Sequence, residues 1–120
     1  MTVKKILTEP NKLLRQISDP VKKVGDEERK LMDDMLDTMY AAPGIGLAAI
    51  QIGIPKRIIV MDISRNENQK EPMYFVNPII ENKNSEKATY EEGCLSVPDQ
   101  FAEIERPNTC EVEYLDYNGK

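Results

Sequence analysis

The 120 residues include no histidine, only two cysteines and no long hydrophobic run. Each shortage closes a class of function. Without histidine there is no cysteine–histidine nucleophilic pair. Two cysteines, Cys94 and Cys110, are too few for a disulfide scaffold, and in a chain without a secretory leader both are expected to stay reduced. No apolar stretch approaches the roughly 18 residues of a membrane span. The start, Met1 to Pro10, carries Lys4 and Lys5 but no apolar segment after them, so no secretory signal and no membrane partner are expected. The expected compartment is the cytoplasm.

A hydrophobic fraction of 40% with 31% charged residues is ordinary for a globular protein, and the length fits one small domain over residues 1–120. Charge is uneven. Residues 1–60 carry ten Lys/Arg against eight Asp/Glu, net +2, while residues 61–120 carry six against thirteen, net −7. The acidic second half argues against a nucleic-acid surface there.

Residues 4–24 are rich in turn formers and read as an irregular arm with at most a helical turn at Asn11 to Gln16. Asp26 is expected to cap a helix in which Leu31, Met32, Met35, Leu36 and Met39 share one face, and which Pro43-Gly44 ends. Arg57 to Ile63 reads as a buried strand, and Tyr74 to Ile80 as another, interrupted or bent at Pro78. Ser64 to Pro72 is a polar loop between them. Ser85 to Glu91 and Phe101 to Arg106 are extended segments on either side of Cys94. Cys110 to Asp116 is a strand with Cys110, Val112 and Tyr114 on one face, which makes Cys110 a packed hydrophobe. Asn118-Gly119 is a hairpin signal whose returning strand is absent, so the chain reads as truncated at a turn.

Two motifs carry chemistry. Gly44-Ile45-Gly46-Leu47-Ala48-Ala49 satisfies a dinucleotide fingerprint, with the acidic Asp62 lying 18 residues beyond Gly44. The context is wrong for it, because a helix rather than a strand feeds the first glycine, and Gly53 and Pro55 break the segment where a crossover helix is needed. On spacing alone the segment is a tight turn with permissive glycines. The second motif is Glu92-Gly93-Cys94-Leu95-Ser96. Glu91 and Glu92 are adjacent on an extended segment and point to opposite faces, so they are not an acid–base dyad.

Gly44 through Gln51, followed in register by Glu92 to Ser96 and Val97-Pro98, resembles the peptide deformylase family across essentially the whole chain. The resemblance implies an α+β fold, with the arm and long helix packed on antiparallel sheets. It implies a metallohydrolase that removes the formyl group from the N-terminal formylmethionine of nascent polypeptides, with possible ribosome proximity. Cys94 would be a metal ligand, usually to iron(II), with zinc, nickel or cobalt able to substitute. Gln51 and the Leu95 N–H would stabilise the oxyanion as activated water attacks. Gly44, Ile45, Gly46, Glu92 and Gly93 would line or support the peptide site, with Ile45 a wall of the methionine pocket and Phe101 near the peptide entrance. The family's third motif, an H-E-x-x-H helix, is missing. The chain alone is therefore expected to be inactive and to bind metal weakly, if at all. A fragment of a longer enzyme is favoured over a truncated product or half of a split enzyme, because the break falls at a loop tip. The alternative is a catalytically dead, deformylase-like peptide-binding protein.

Overall fold

The computed structural model describes residues 3–64, 69–81, 83, 86–107 and 109–120. The long helix α1 (Asp26–Ala41) buries Leu31, Met32, Met35, Thr38 and Met39, with Leu36 half-buried beside them. Steps of three and four residues put these side chains on one stripe. The expected cap is corrected: Gly25, not Asp26, is the N-cap. The carboxylate of Glu28 accepts the Gly25 N–H at 3.0 Å. This reach back from the third helical position satisfies an orphan donor and needs no side chain at the cap. Asp26 is already helical, and its carboxylate accepts from Arg29 at 2.8 Å.

Four antiparallel strands form the main sheet in the order β1 (Gly46–Ala48), β2 (Ile58–Met61), β3 (Met73–Glu81), β6 (Glu111–Leu115). Alternation along β2 sends Ile58 and Val60 toward α1, where they meet Leu47, Val76 and the helix methionines. Val21 and Val24 of the arm close this core. The bend expected at Pro78 is present as a register shift between Val76 and Ile79, with Asn77 at φ 52°. A proline cannot donate to the ladder, and the Asn77 side chain is used elsewhere. Its Oδ1 accepts the Val21 N–H and its Nδ2 donates to the Val21 carbonyl, both at 2.7 Å. The arm itself contains the expected short turn, a 3-10 segment Lys12–Arg15 capped by Asn11.

Among the described residues, β4 (Lys87–Cys94) and β5 (Val97–Pro107) pair only with each other, as a two-stranded ribbon with Leu95 and Ser96 at its tip. The expectation that the extended stretch begins at Ser85 falls on a residue outside those described, as do residues 65–68 of the polar loop. Ile63 lies beyond β2 and is exposed. Cys110 is a correction as well: it is exposed and precedes β6. Val112 and Tyr114, its partners in the alternation, are 37% and 41% exposed, and Tyr114 packs its ring on buried Phe75 at 4.4 Å, so that face is only partly covered. The Asn118-Gly119 turn is formed. Gly119 takes φ 82°, and the Asp116 carboxylate accepts the N–H groups of Asn118 and Lys120 at 2.9 and 3.0 Å.

Candidate active site

The Gly44–Gly46 segment is not the tight turn that spacing alone indicates, since Gly46 opens strand β1 and neither glycine has positive φ. Gly44 is set apart by close packing instead. A Cβ there would lie 2.6 Å from Leu95 Cδ1, so the first motif is packed directly on the tip of the ribbon that carries the second. Gly93 has a similar reason: it faces Phe101 across the ribbon, and a Cβ would come within 2.8 Å of the ring.

Asp62, the acid a dinucleotide site would use, is committed elsewhere. It is buried, and hydrogen bonds from Ser64 and Tyr40, then from the Glu71 N–H, hold its carboxyl down at about 2. Burial and the same Asp62 contact raise the Tyr40 hydroxyl. The Asp62 N–H also donates to the Ile45 carbonyl at 2.9 Å. The end of α1, the end of β2 and the glycine segment are thereby tied together.

Gln51 lies on a single 3-10 turn, Ala49–Ile52, ended by Gly53 in the left-handed region at φ 88°. Its Oε1 accepts the Ala48 N–H at 3.0 Å. A backbone N–H can only donate, so this contact fixes which end of the amide is oxygen. Nε2 therefore faces the ribbon, where it lies 3.6 Å from Cys94 Sγ and 3.1 Å from Ser96 Oγ. A glutamate could make the Ala48 contact but could not donate to the ribbon.

These residues surround a cavity of about 850 Å³, lined by Gly44, Ile45, Gly46, Gln51, Cys94 and Leu95 among others. Gly93 and Phe101 also line it. Ile45 is 71% exposed and Phe101 69%, large apolar side chains presented to an opening rather than to a core. Of the residues that the resemblance assigns to the site, only Glu92 is outside the lining. Its carboxylate takes a two-pronged contact from Arg106 at 2.7 and 2.8 Å, which holds it below the usual carboxylate range.

Sequence reasoning named Ser96 in its motif but gave no site role to it or to the arm. Ser96 is 4% exposed, and its carbonyl accepts the Glu9 N–H at 2.8 Å, while the Leu7 N–H donates to the Gln51 carbonyl at 2.7 Å. The arm thus bridges both motifs, and Ile6 reaches the cavity wall. No sequence signal marks residues 6–9 for this, because main-chain contacts leave no side-chain signature.

Cys94 is exposed and presents one sulfur donor at the cavity. Among the described residues no three His, Cys, Asp or Glu side chains converge, and the sequence holds no histidine. One thiolate suits a borderline or soft divalent metal but does not complete a ligand set. This chain therefore fits the metal at one corner only.

The geometry has counterparts. A family model described as polypeptide deformylase matches residues 3–120. A peptide deformylase of Pelagibacter ubique is 84% identical over 120 residues, covering all of this chain and 70% of the relative. One from Phenylobacterium zucineum is 58% identical, again over the whole chain and 71% of the relative. Among solved structures, a peptide deformylase from Ehrlichia chaffeensis superposes with a TM-score of 0.93 at 43% identity, over 99% of this chain and 72% of that one. A complex of the Ehrlichia enzyme with actinonin gives 0.92 at 47%, over 100% and 72%. With both motifs facing one cavity in a shared fold and most of each relative's length matched, the chain belongs to the polypeptide deformylase family.

Proposed function

We propose that this chain supplies the substrate cavity, the oxyanion donors and one metal ligand of a peptide deformylase, which hydrolyses the N-formyl group of formylmethionine on nascent polypeptides. The observation that carries the reading is the convergence of Gln51 Nε2 and Cys94 Sγ at one corner of a cavity beside the edge strand β1. β1 pairs with β2 on one side. Its other edge lies at the cavity, which suits an extended peptide added as a strand. Ile45, Leu95 and Phe101 give the apolar surroundings a methionine side chain needs.

When bound, the metal activates water and polarises the formyl group. The chain's own residues do the rest of what they can reach. Gln51 is a neutral donor held from both ends, so it meets the developing oxyanion without reorganising and without a pKa to manage. The Leu95 N–H, at the ribbon tip between Cys94 and Ser96, is the second donor. Cys94 is the thiolate ligand, for which iron(II) is the proposed native metal, with zinc, nickel or cobalt as substitutes. Glu92 is read as a support of the ribbon through Arg106. Residues 1–120 are read as part of one domain. The substrate argues for a cytoplasmic site of action near the ribosome, and no described helix is long and apolar enough to cross a membrane.

A second reading rests on the incomplete donor set: the chain binds extended peptides without cleaving them. One experiment separates the two. The 120-residue chain is joined to the remaining C-terminal segment of its 84%-identical relative, loaded with metal, and assayed for formate release and peptide binding. Turnover by the joined protein, with none by the chain alone, is the expected result. Peptide binding by the joined protein without formate release favours the second reading.

A further inference from the structure

We propose that Ser96 is a positioning residue for Gln51, and that it acts by taking one of the two Nε2 protons so that the other is left aimed at the Cys94 corner. A glutamine side chain has three rotatable bonds and an amide that can turn over, so a glutamine in a cavity has no orientation of its own. Here each polar atom is assigned. Oε1 is held by the Ala48 N–H at 3.0 Å, and Nε2, with two hydrogens to give, lies 3.1 Å from Ser96 Oγ and 3.6 Å from Cys94 Sγ, one acceptor for each. The sulfur contact is the longest and weakest of the three. It is the one an arriving substrate oxygen can displace, and the other two keep the amide from following.

Ser96 can hold Gln51 only if it is itself fixed, and it is. Its side chain is buried at 4% exposure, and its carbonyl is tied to the arm by the Glu9 N–H at 2.8 Å. Two residues back, the same arm ties the Gln51 carbonyl through the Leu7 N–H at 2.7 Å. Gln51 and Ser96 are thus linked twice, directly by side chains and indirectly by the main chain of residues 7–9. The ribbon tip and the 3-10 turn belong to different parts of the fold, and these links set the distance between them.

The inference rests on Gln51 being an oxyanion donor, so its test has two arms that fail separately. In the first, the 15N-labelled 120-residue chain is studied by NMR, with the Gln51 side-chain amide assigned by its loss in Gln51→Ala. One proton should exchange with water more slowly than in free glutamine. Ser96→Ala should speed that exchange by about tenfold, within the range found for coupled neighbours, and Ser96→Thr, which keeps the hydroxyl, should restore it. In the second, formate release is measured on the joined, metal-loaded protein. Ser96→Ala should lower kcat by about tenfold with KM and metal content kept, and should have no further effect in a Gln51→Ala background. Wild-type exchange at the free rate overturns the proposal whether or not the variant folds. So does an equal loss of kcat with and without Gln51. Slow exchange that depends on Ser96, with activity indifferent to Gln51, would keep the hydrogen-bond assignment and overturn the catalytic reading.

Discussion

Gln51 Nε2 and Cys94 Sγ lie 3.6 Å apart, although 43 residues separate them in the chain. An amide donor and a sulfur ligand thereby share one corner of the cavity, and their roles separate by substitution. In the joined protein, Gln51→Ala should retain metal and lose turnover by about a hundredfold or more, as for removal of one oxyanion donor. Cys94→Ala should lose metal and turnover together. Metal analysis beside formate assays checks both, and equal activity of wild type and Cys94→Ala would remove Cys94 from the site.

The two motif glycines should respond differently to alanine. At Gly44 the added Cβ meets Leu95 Cδ1 at 2.6 Å, so the Leu95 side chain must turn away or the ribbon tip must move. Overpacking of this kind costs about 1–3 kcal/mol. At Gly46 the nearest atoms are the Val60 carbonyl oxygen at 3.8 Å and Met61 Cβ at 4.0 Å, ordinary contacts that leave the fold alone. Urea denaturation should therefore separate Gly44→Ala from wild type while Gly46→Ala stays close to it. Equal midpoints for all three would contradict the close packing of Gly44 on Leu95.

Asp62 gives a pH signature. Its carboxyl is lowered from 3.8 to about 2 in the folded chain, first by hydrogen bonding from Ser64 and next by Tyr40. A depressed carboxyl contributes stability above its unfolded pKa and loses it as pH falls through the folded value. Asp62→Asn should thus be less stable than wild type at neutral pH, and the difference should shrink between about pH 4 and pH 2. Thermal melts across that range measure it, and a gap independent of pH would mean that the carboxylate charge is not what Tyr40 and Ser64 hold.

The face of the main sheet away from α1 carries buried Phe75, half-buried Ile59 and Met61, and Val112 and Tyr114 at 37% and 41% exposure. Such a surface is a liability until something covers it. Joining the C-terminal segment of the 84%-identical relative should raise the melting temperature by several degrees and reduce binding of a hydrophobic dye. A monomeric 120-residue chain melting as cooperatively, and as high, as the joined protein would show that this face needs no cover.

Much of the architecture was legible because it depends on local pattern. Methionines and leucines at steps of three and four marked α1, and the β-branched run marked β2. Pro78 marked a bend because a missing N–H interrupts any ladder. The helix cap was misread because Asp26 and Gly25 both stand before an apolar stripe, and the choice fell to Glu28, which satisfies the Gly25 N–H from inside the helix. Cys110 was misread for a different reason. Alternation identifies a face but says nothing about whether another layer covers it.

Two short motifs were enough to establish the family and the chemistry available: one thiol, one amide, and no histidine to finish a metal site. Why Gly44 is glycine, where Asp62 is spent, and which way the Gln51 amide points emerged only once the chain was folded. Those are matters of distance between segments far apart in the chain, or of which donor meets which acceptor. The arm is the clearest case. Leu7 and Glu9 act through backbone N–H groups that every residue but proline possesses, so their bridge between Gln51 and Ser96 had no side chain through which to be read.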